Sequence, residues 1–318
     1  LTTGSLYALN NGYTRLGYES NTGNTFVLSD LTYHYLAGDN LALIVGARGV
    51  NAVNVFRGAN RVEGAGSGPL SLFAQRNPII GFNAGQAGLG FDWQIAKSLS
   101  LQAVYSAGDA PVASGDGGLF GGNTSIGVQL AANLFDRVDL ALYYLNSYTN
   151  NGTLNNPVGD NIIGSVFPAS RFSTNAFGST ISWNATNKLN FGGWLGFSTS
   201  SIKDTGVSGS VDTFNWMTFV NLLDTLREGD LLGIYVGQPP KITGSNLSTP
   251  INYPSLYNGT GGLAGSQTAS TTHVELFYRY PVSKNISITP GVIFIFNLGQ
   301  TAGSDTVTIG ALRTTFSF

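Results

Sequence analysis

The sequence contains no cysteine, which excludes disulfide bridges and thiolate metal sites. Charge is also scarce: Asp, Glu, Lys and Arg make up 10% of 318 residues, where soluble domains carry roughly 25%. Long apolar runs are missing. The longest, Leu41 to Ala47, falls well short of the roughly 18 residues a transmembrane helix needs. A net charge of −2 with no basic block gives no footprint for nucleic acid. What is present is an ordinary apolar content of 42%, together with 43 glycines, abundant Asn, Ser and Thr, and 12% aromatic residues.

One architecture reconciles low charge with the absence of apolar runs. A strand crossing a bilayer as part of a closed barrel alternates one row of side chains toward lipid and one toward water, so its mean hydropathy stays near neutral. Backbone groups in lipid must be paired internally, which leaves helices and closed barrels as spanning structures. With helices excluded, the sequence predicts an all-β, transmembrane antiparallel barrel. A soluble β-sandwich is the rival all-β reading.

Period-2 alternation recurs along the chain. Leu89, Phe91, Trp93 and Ile95 alternate with Gly88, Gly90, Asp92 and Gln94. Val274, Leu276, Tyr278 and Tyr280 oppose His273, Glu275 and Arg279, and Ile286 to Phe296 follows after a short Val282-Ser283-Lys284 connection. Similar stretches begin at Leu31, Leu41, Leu99, Ile126, Val138, Phe177, Leu189, Phe214, Leu232 and Asp305, making thirteen strands in all. Tyr13 to Tyr18 reads as a fourteenth and Leu1 to Asn10 as a further candidate. Bacterial single-chain barrels have even strand numbers, so sixteen are expected, with fourteen as the alternative.

Connections alternate between tight turns (37–39, 96–97, 135–136, 186–187, 283–284) and long Gly/Ser/Asn/Pro-rich segments (49–84, 108–122, 149–173, 200–210, 239–270). Short periplasmic turns opposite long external loops are the outer-membrane pattern, and a sandwich does not produce that asymmetry. Tyr33, Tyr35, Trp93, Trp183, Tyr278 and Tyr280 lie near the tight turns in outward phase, as an interfacial aromatic girdle requires. The chain ends in Phe318, in phase with Phe316 and Leu312, similar to a barrel-assembly signal.

Catalytic chemistry is poorly supported. His34 and His273 are the two imidazoles, both in inward phase, and no G-x-S-x-G, H-E-x-x-H or P-loop accompanies them. They read as polar lumen residues, and a hydrolase is the least favoured alternative. Asp109 and Asp116 lie in a Gly-rich loop, but their spacing fits no EF-hand, so no metal or cofactor is expected. The inward rows contain Gly88, Gly90, Gly127, Gly178, Gly192 and Gly196 among Gln, Asn, Ser and Thr, which suggests a wide polar water channel. A structural barrel with a largely closed lumen is the alternative.

The 36-residue segment 49–84 is too long for a plain connection, and loops of this length usually have a job. It carries Arg57, Arg61 and Arg76 against Glu63, while Arg48, Arg279 and Arg313 fall in inward phase on strands. Folded into the lumen, these arginines would favour anions or polyhydroxylated solutes. The competing reading pairs them with lumen carboxylates such as Glu275 and Asp92.

The stretches GLGFDWQIAKSLSLQAVYSAG (88–108), LGIYVGQPPK (232–241), NISITPGVIFIFN (285–297) and SDTVTIGALRTTFSF (304–318) resemble the cyanobacterial outer-membrane porins of the carbohydrate-selective, OprB-like family. The resemblance runs from about Tyr13 to the C-terminus. It implies a sixteen-stranded barrel, usually trimeric, embedded in the outer-membrane bilayer and associated with carbohydrate or iron uptake. It also implies an upstream cell-wall-binding domain that grips peptidoglycan, expected outside this chain. No substrate residue of the family maps onto a motif here.

Overall fold

The computed structural model describes residues 12–317 apart from 19–22, 27, 83–84, 86, 114, 155–156, 160–169, 205, 207, 248–266 and 268. Thirteen strands form one antiparallel sheet in which every strand pairs with its sequence neighbours. They are β1 (Leu31–Leu36), β2 (Leu41–Arg48), β3 (Ala87–Ala96), β4 (Leu99–Ala107), β5 (Thr124–Leu134), β6 (Val138–Thr149), β7 (Phe172–Asn184), β8 (Leu189–Ile202), β9 (Ser210–Leu223), β10 (Leu231–Ser245), β11 (Thr272–Pro281), β12 (Ile286–Phe296) and β13 (Val307–Phe316). Among the described residues β1 and β13 each pair on one side alone.

Alternation sorts the side chains as the sequence suggests. Leu89, Ile126, Leu130, Phe177, Leu195 and Leu312 stand exposed on the outer face, while their chain neighbours turn inward. An apolar outer surface of this extent fits a protein solvated by lipid. Tyr33, Tyr35, Trp93, Trp183 and Tyr280 are exposed on that face near the short turns. Tyr278 is half-buried and its hydroxyl donates to Asp230 at 2.7 Å. Phe316 is exposed on β13, whereas Phe318 lies outside the described residues.

The short turns are built for hairpins. Phe135 and Asp136 both have positive φ (55° and 56°), and the Arg137 N–H donates to the Leu134 carbonyl at 3.1 Å. Two left-handed central residues give a turn whose twist matches that of the strands. Between β9 and β10 the turn is organised by Asp230, which accepts from the N–H groups of Thr225, Leu226 and Arg227 at 2.7, 2.9 and 3.1 Å. Burial alone raises its pKa, but these bonds and the one from Tyr278 outweigh it and hold the carboxyl well below the usual carboxylate range.

Two boundary expectations are corrected. Strand β10 continues through Pro239-Pro240 to Ser245, territory the sequence assigned to a loop. A register shift between Gln238 and Lys241 accommodates the prolines, which lack N–H donors. Tyr13 to Tyr18 is not a wall strand. Leu16 bridges Ser71 inside the sheet's concave side, the Gly17 N–H donates to the Leu70 carbonyl at 2.8 Å, and the Leu72 N–H donates to the Arg15 carbonyl at 2.9 Å. Tyr13 is buried against Ile293, Ile295 and Ile309 of β12 and β13. The candidate strand Leu1 to Asn10 lies outside the described residues.

Candidate functional site

The site is the lumen, and the described part of segment 49–84, residues 49–82, occupies much of it. Leaving β2, the chain forms a one-turn helix at Ala52–Val55, whose first amides are capped by the Asn51 side chain. A second turn at Leu72–Gln75 is capped by Ser71, and a 3-10 turn at Pro78–Gly81 by Asn77. Such caps let short polar-backbone elements sit inside a barrel without orphaned N–H groups.

Two apolar clusters seat this segment on the wall. Val50, Val55, Phe56, Ile79 and Phe82 pack against Val104, Tyr143 and Leu145. Leu70, Phe73 and Ala74 pack against Trp194, Met217, Phe219, Tyr235 and Phe277. Phe73 meets Trp194 edge-on at 6.4 Å, and Phe219 stacks on Tyr235 at 5.2 Å. The expectation of a wide, polar, glycine-lined channel is therefore corrected. A Cβ on Gly127 would come within 2.9 Å of the Phe56 ring, and one on Gly90 within 3.1 Å of Val55. These glycines permit close approach of the segment; they do not widen a pore.

The charged candidates separate into two groups. On the segment, Arg57 pairs with Asp92 at 2.6 Å and donates to Gln94 at 2.7 Å, and Arg61 pairs with Asp139 at 3.2 Å. Glu63 is half-buried; desolvation raises its pKa, and the Arg76 charge opposes that rise. On the wall, Arg313 donates to the carbonyls of Ala65, Gly68 and Pro69, and Arg279 donates to that of Ser67. Glu275, fully buried, accepts from the N–H groups of Leu70 and Ser71 and from the Ser71 hydroxyl. Arg313 and Glu275 thus grip successive stretches of Ala65–Ser71 from opposite polarity. Arg48 ends β2 opposite Leu31, past a register shift that interrupts the inward phase of Ile44 and Gly46, and it forms no ion pair with a described residue.

Ser71, His273 and Glu275 lie together, which invites comparison with a hydrolytic triad. The geometry does not form a relay. His273 Nε2 is 3.2 Å from Ser71 Oγ and 3.4 Å from Glu275 Oε2, so both partners approach one nitrogen. A relay needs the carboxylate on the opposite nitrogen, and His273 Nδ1 has no partner among the described residues. Ser71 Oγ also accepts from the Ala74 N–H as a helix cap. All three residues are at most 2% exposed. His34 is exposed and 3.3 Å from the Thr32 hydroxyl. Asp109 accepts from Asn123 at 2.7 and 2.8 Å, and the described residues contain no cluster of metal-ligating side chains around it or Asp116.

Open space remains at the short-turn end. A cavity of ≈ 400 Å³ is lined by Arg61, Arg137, Asn184, Asn187, Asn190 and Asn221, among others. A directional amide chain runs along it: Asn60 donates to the Tyr235 hydroxyl (3.0 Å), Tyr235 to Asn221 (3.1 Å), Asn221 to Asn190 (3.0 Å) and Asn190 to Asn184 (3.0 Å). A second cavity of ≈ 150 Å³ lies beside Arg57 and Lys97.

Sequence reasoning missed the apolar inner row and the Asp139 partner of Arg61. The signal for the former was present in Trp216-Met217-Thr218-Phe219-Val220, where apolar residues occur on both phases. A strand apolar on both faces is covered on both faces.

A lipid-facing antiparallel wall, hairpins with short turns at one end, and a long segment folded inside define the outer-membrane porin class. Residues 17–318 match the family model "Carbohydrate-selective porin, OprB family", and the chain belongs to that family. Membership indicates the bacterial outer membrane. An uncharacterized protein of Nostoc sp. is 30% identical over 93% of this chain and 51% of its own length. One from Synechocystis sp. is 27% identical over 96% and 56%, respectively. The chain therefore spans about half the length of the curated relatives it matches. Among solved structures, a porin superposes with a TM-score of 0.50 at 13% identity, covering 90% of this chain and 80% of that one.

Proposed function

We propose that this chain forms most of the wall and the inner partition of a non-enzymatic diffusion channel for small hydrophilic solutes, namely inorganic ions and small polyhydroxylated molecules. The observation that carries this reading is segment 49–84, held inside a lipid-facing barrel with its arginine-bearing flank exposed. The asparagine-lined cavity at the short-turn end offers many weak donors and acceptors, which suits hydroxylated solutes entering or leaving. Short turns face the periplasm in this reading, the exposed aromatics beside them form the girdle, and the barrel assembles as a trimer.

Closure follows from direction. β1 and β13 are separated by twelve antiparallel pairings, so they run the same way. Antiparallel closure of their free edges needs an odd number of further strands: one for a fourteen-stranded barrel, three for sixteen. Sixteen is the proposed count.

A second reading has its own support. The inner faces of β4 to β11 are largely covered, as a structural barrel with a closed lumen requires. Planar-bilayer recording of the full-length protein separates the two. Ohmic steps are expected; a correctly folded protein that never conducts belongs to the second reading.

A further inference from the structure

We propose that the short-turn rim of β7 to β12 carries a binding platform for a phosphate-bearing lipid headgroup, with Arg227 at its centre. The platform needs only the lipid-facing wall and holds whether or not the lumen conducts.

Three successive short turns each carry one exposed cation: Lys188 between β7 and β8, Arg227 between β9 and β10, and Lys284 between β11 and β12. Leu189 pairs with Leu222 and Leu231 with Arg279, so the three turns lie side by side. They are also bonded to one another. Lys188 Nζ donates to the Asp224 carbonyl at 2.8 Å, and Arg227 Nη1 donates to the Tyr280 hydroxyl at 2.6 Å.

Arg227 sets the side on which this charge stands. Its guanidinium carbon lies 4.8 Å from the centre of the Tyr280 ring. Tyr280 is in phase with Leu276, and both are exposed on the outer face, so Arg227 leans toward lipid. Lys97 and Arg137, on the β3–β4 and β5–β6 turns, line the inner cavities instead. Ring and hydroxyl hold the guanidinium in place, while its remaining N–H groups make no hydrogen bond to a described residue. A pre-positioned planar fork of donors matches phosphate oxygens.

The same turns expose apolar side chains. Leu226 is 83% exposed beside Arg227, and Val282 is 48% exposed two positions before Lys284. A lipid covers all parts of such a surface: apolar side chains meet the acyl boundary, the tyrosine sits at the interface, and cations meet phosphate. A free anion would leave Leu226 and Val282 in water. Nearby carboxylates are largely engaged. Asp230 is buried and accepts from three N–H groups and the Tyr278 hydroxyl, and Asp224 accepts from the Gly229 N–H at 2.6 Å. Glu228 is the exposed acid on the β9–β10 turn, set against three cations.

The test uses full-length protein in nonionic detergent, titrated with phosphatidylglycerol and read by native mass spectrometry. Each cation at a membrane surface changes anionic-lipid affinity about fivefold, so Arg227→Gln should weaken retention by about that factor and Lys188→Gln/Arg227→Gln/Lys284→Gln by at least about twentyfold. Asp230 uses the backbone N–H of residue 227, so these variants should melt with the wild type. Lys97→Gln/Arg137→Gln should retain lipid as the wild type does. In proteoliposomes, phosphatidylglycerol with a photoactivatable headgroup should label residues 224–230 and 280–285. Retention unchanged in the triple variant, or labelling confined to the turns of Lys97 and Arg137, overturns the inference. Full displacement of the lipid by inorganic phosphate at equal concentration would make this a soluble-anion site and overturn it too. A wild type that retains no phosphatidylglycerol also overturns it, and leaves the exposed Leu226 and Arg227 to a protein partner.

Discussion

The grip of Glu275 on the inner segment can be weakened without changing shape. Glu275→Gln keeps the side-chain volume, removes the charge and turns one of two acceptor oxygens into a donor. Three segment groups lose a charged acceptor: the Leu70 N–H, the Ser71 N–H and the Ser71 hydroxyl. Charged hydrogen bonds contribute about 1.5–3 kcal/mol against about 0.5–1.5 for neutral ones, so three of them weaken by about 3 kcal/mol in total. Arg313 still holds Ala65, Gly68 and Pro69, so the loosening should be local to Leu70–Leu72. At about 1.36 kcal/mol per factor of ten, the open population of that stretch rises roughly a hundredfold. Hydrogen exchange read peptide by peptide in detergent micelles measures this directly. Peptides covering Leu70–Leu72 should exchange faster by that factor, while the strand amides of β8 to β10 stay protected. Exchange accelerated less than about threefold would refute the claim that Glu275 is the anchor, since even one lost charged bond exceeds that.

Three other outcomes follow from the same contacts. Gly127→Ala places a Cβ 2.9 Å from the Phe56 ring and should cost about 1–3 kcal/mol through overpacking, seen as faster exchange at Ala52–Phe56; a wide open lumen would tolerate it silently. Asp230 has a depressed pKa, so its stabilisation is present in full above the unfolded value of about 3.9 and fades as pH falls below it; Asp230→Asn should flatten the acid limb of the thermal-stability profile. The Arg57–Asp92 pair is partly exposed and worth at most about 1 kcal/mol, so the charge-neutral double variant Arg57→Gln/Asp92→Asn should leave both melting temperature and reversal potential nearly unchanged, whereas Arg57→Gln alone should shift selectivity toward cations.

The wall was legible because period-2 alternation maps directly onto the two faces of a strand. Leu89, Phe91, Trp93 and Ile95 needed no partner to be assigned outward. The interior was less legible because alternation reports a half-covered extended chain and does not say what covers it. Tyr13 to Tyr18 alternates like a wall strand, and it is extended enough to bridge Ser71, but its partner is the inner segment. Inner glycines misled in the same way. Gly127 looks like a lumen residue that leaves room for water, yet the room is taken by Phe56, some seventy positions away in sequence. Arg57 with Asp92 was foreseeable as a pair of inward charges. Arg61 with Asp139 was not, since nothing local links the segment to the start of β6.

The two halves of the interior make one physical arrangement. A segment seated by Phe56, Ile79, Leu70 and Phe73 and clamped by Arg313 and Glu275 is a rigid partition, because displacing it exposes apolar area and orphans buried donors together. Rigidity of the partition fixes the width of whatever path remains beside it. In a wide lumen each arginine would be screened over about 8 Å at physiological salt and selectivity would be slight. The paired charges Arg57–Asp92 and Arg61–Asp139 nearly cancel, so a passing ion meets little net field from either pair. Apolar packing of the segment therefore determines how near a passing ion comes to each of these charges.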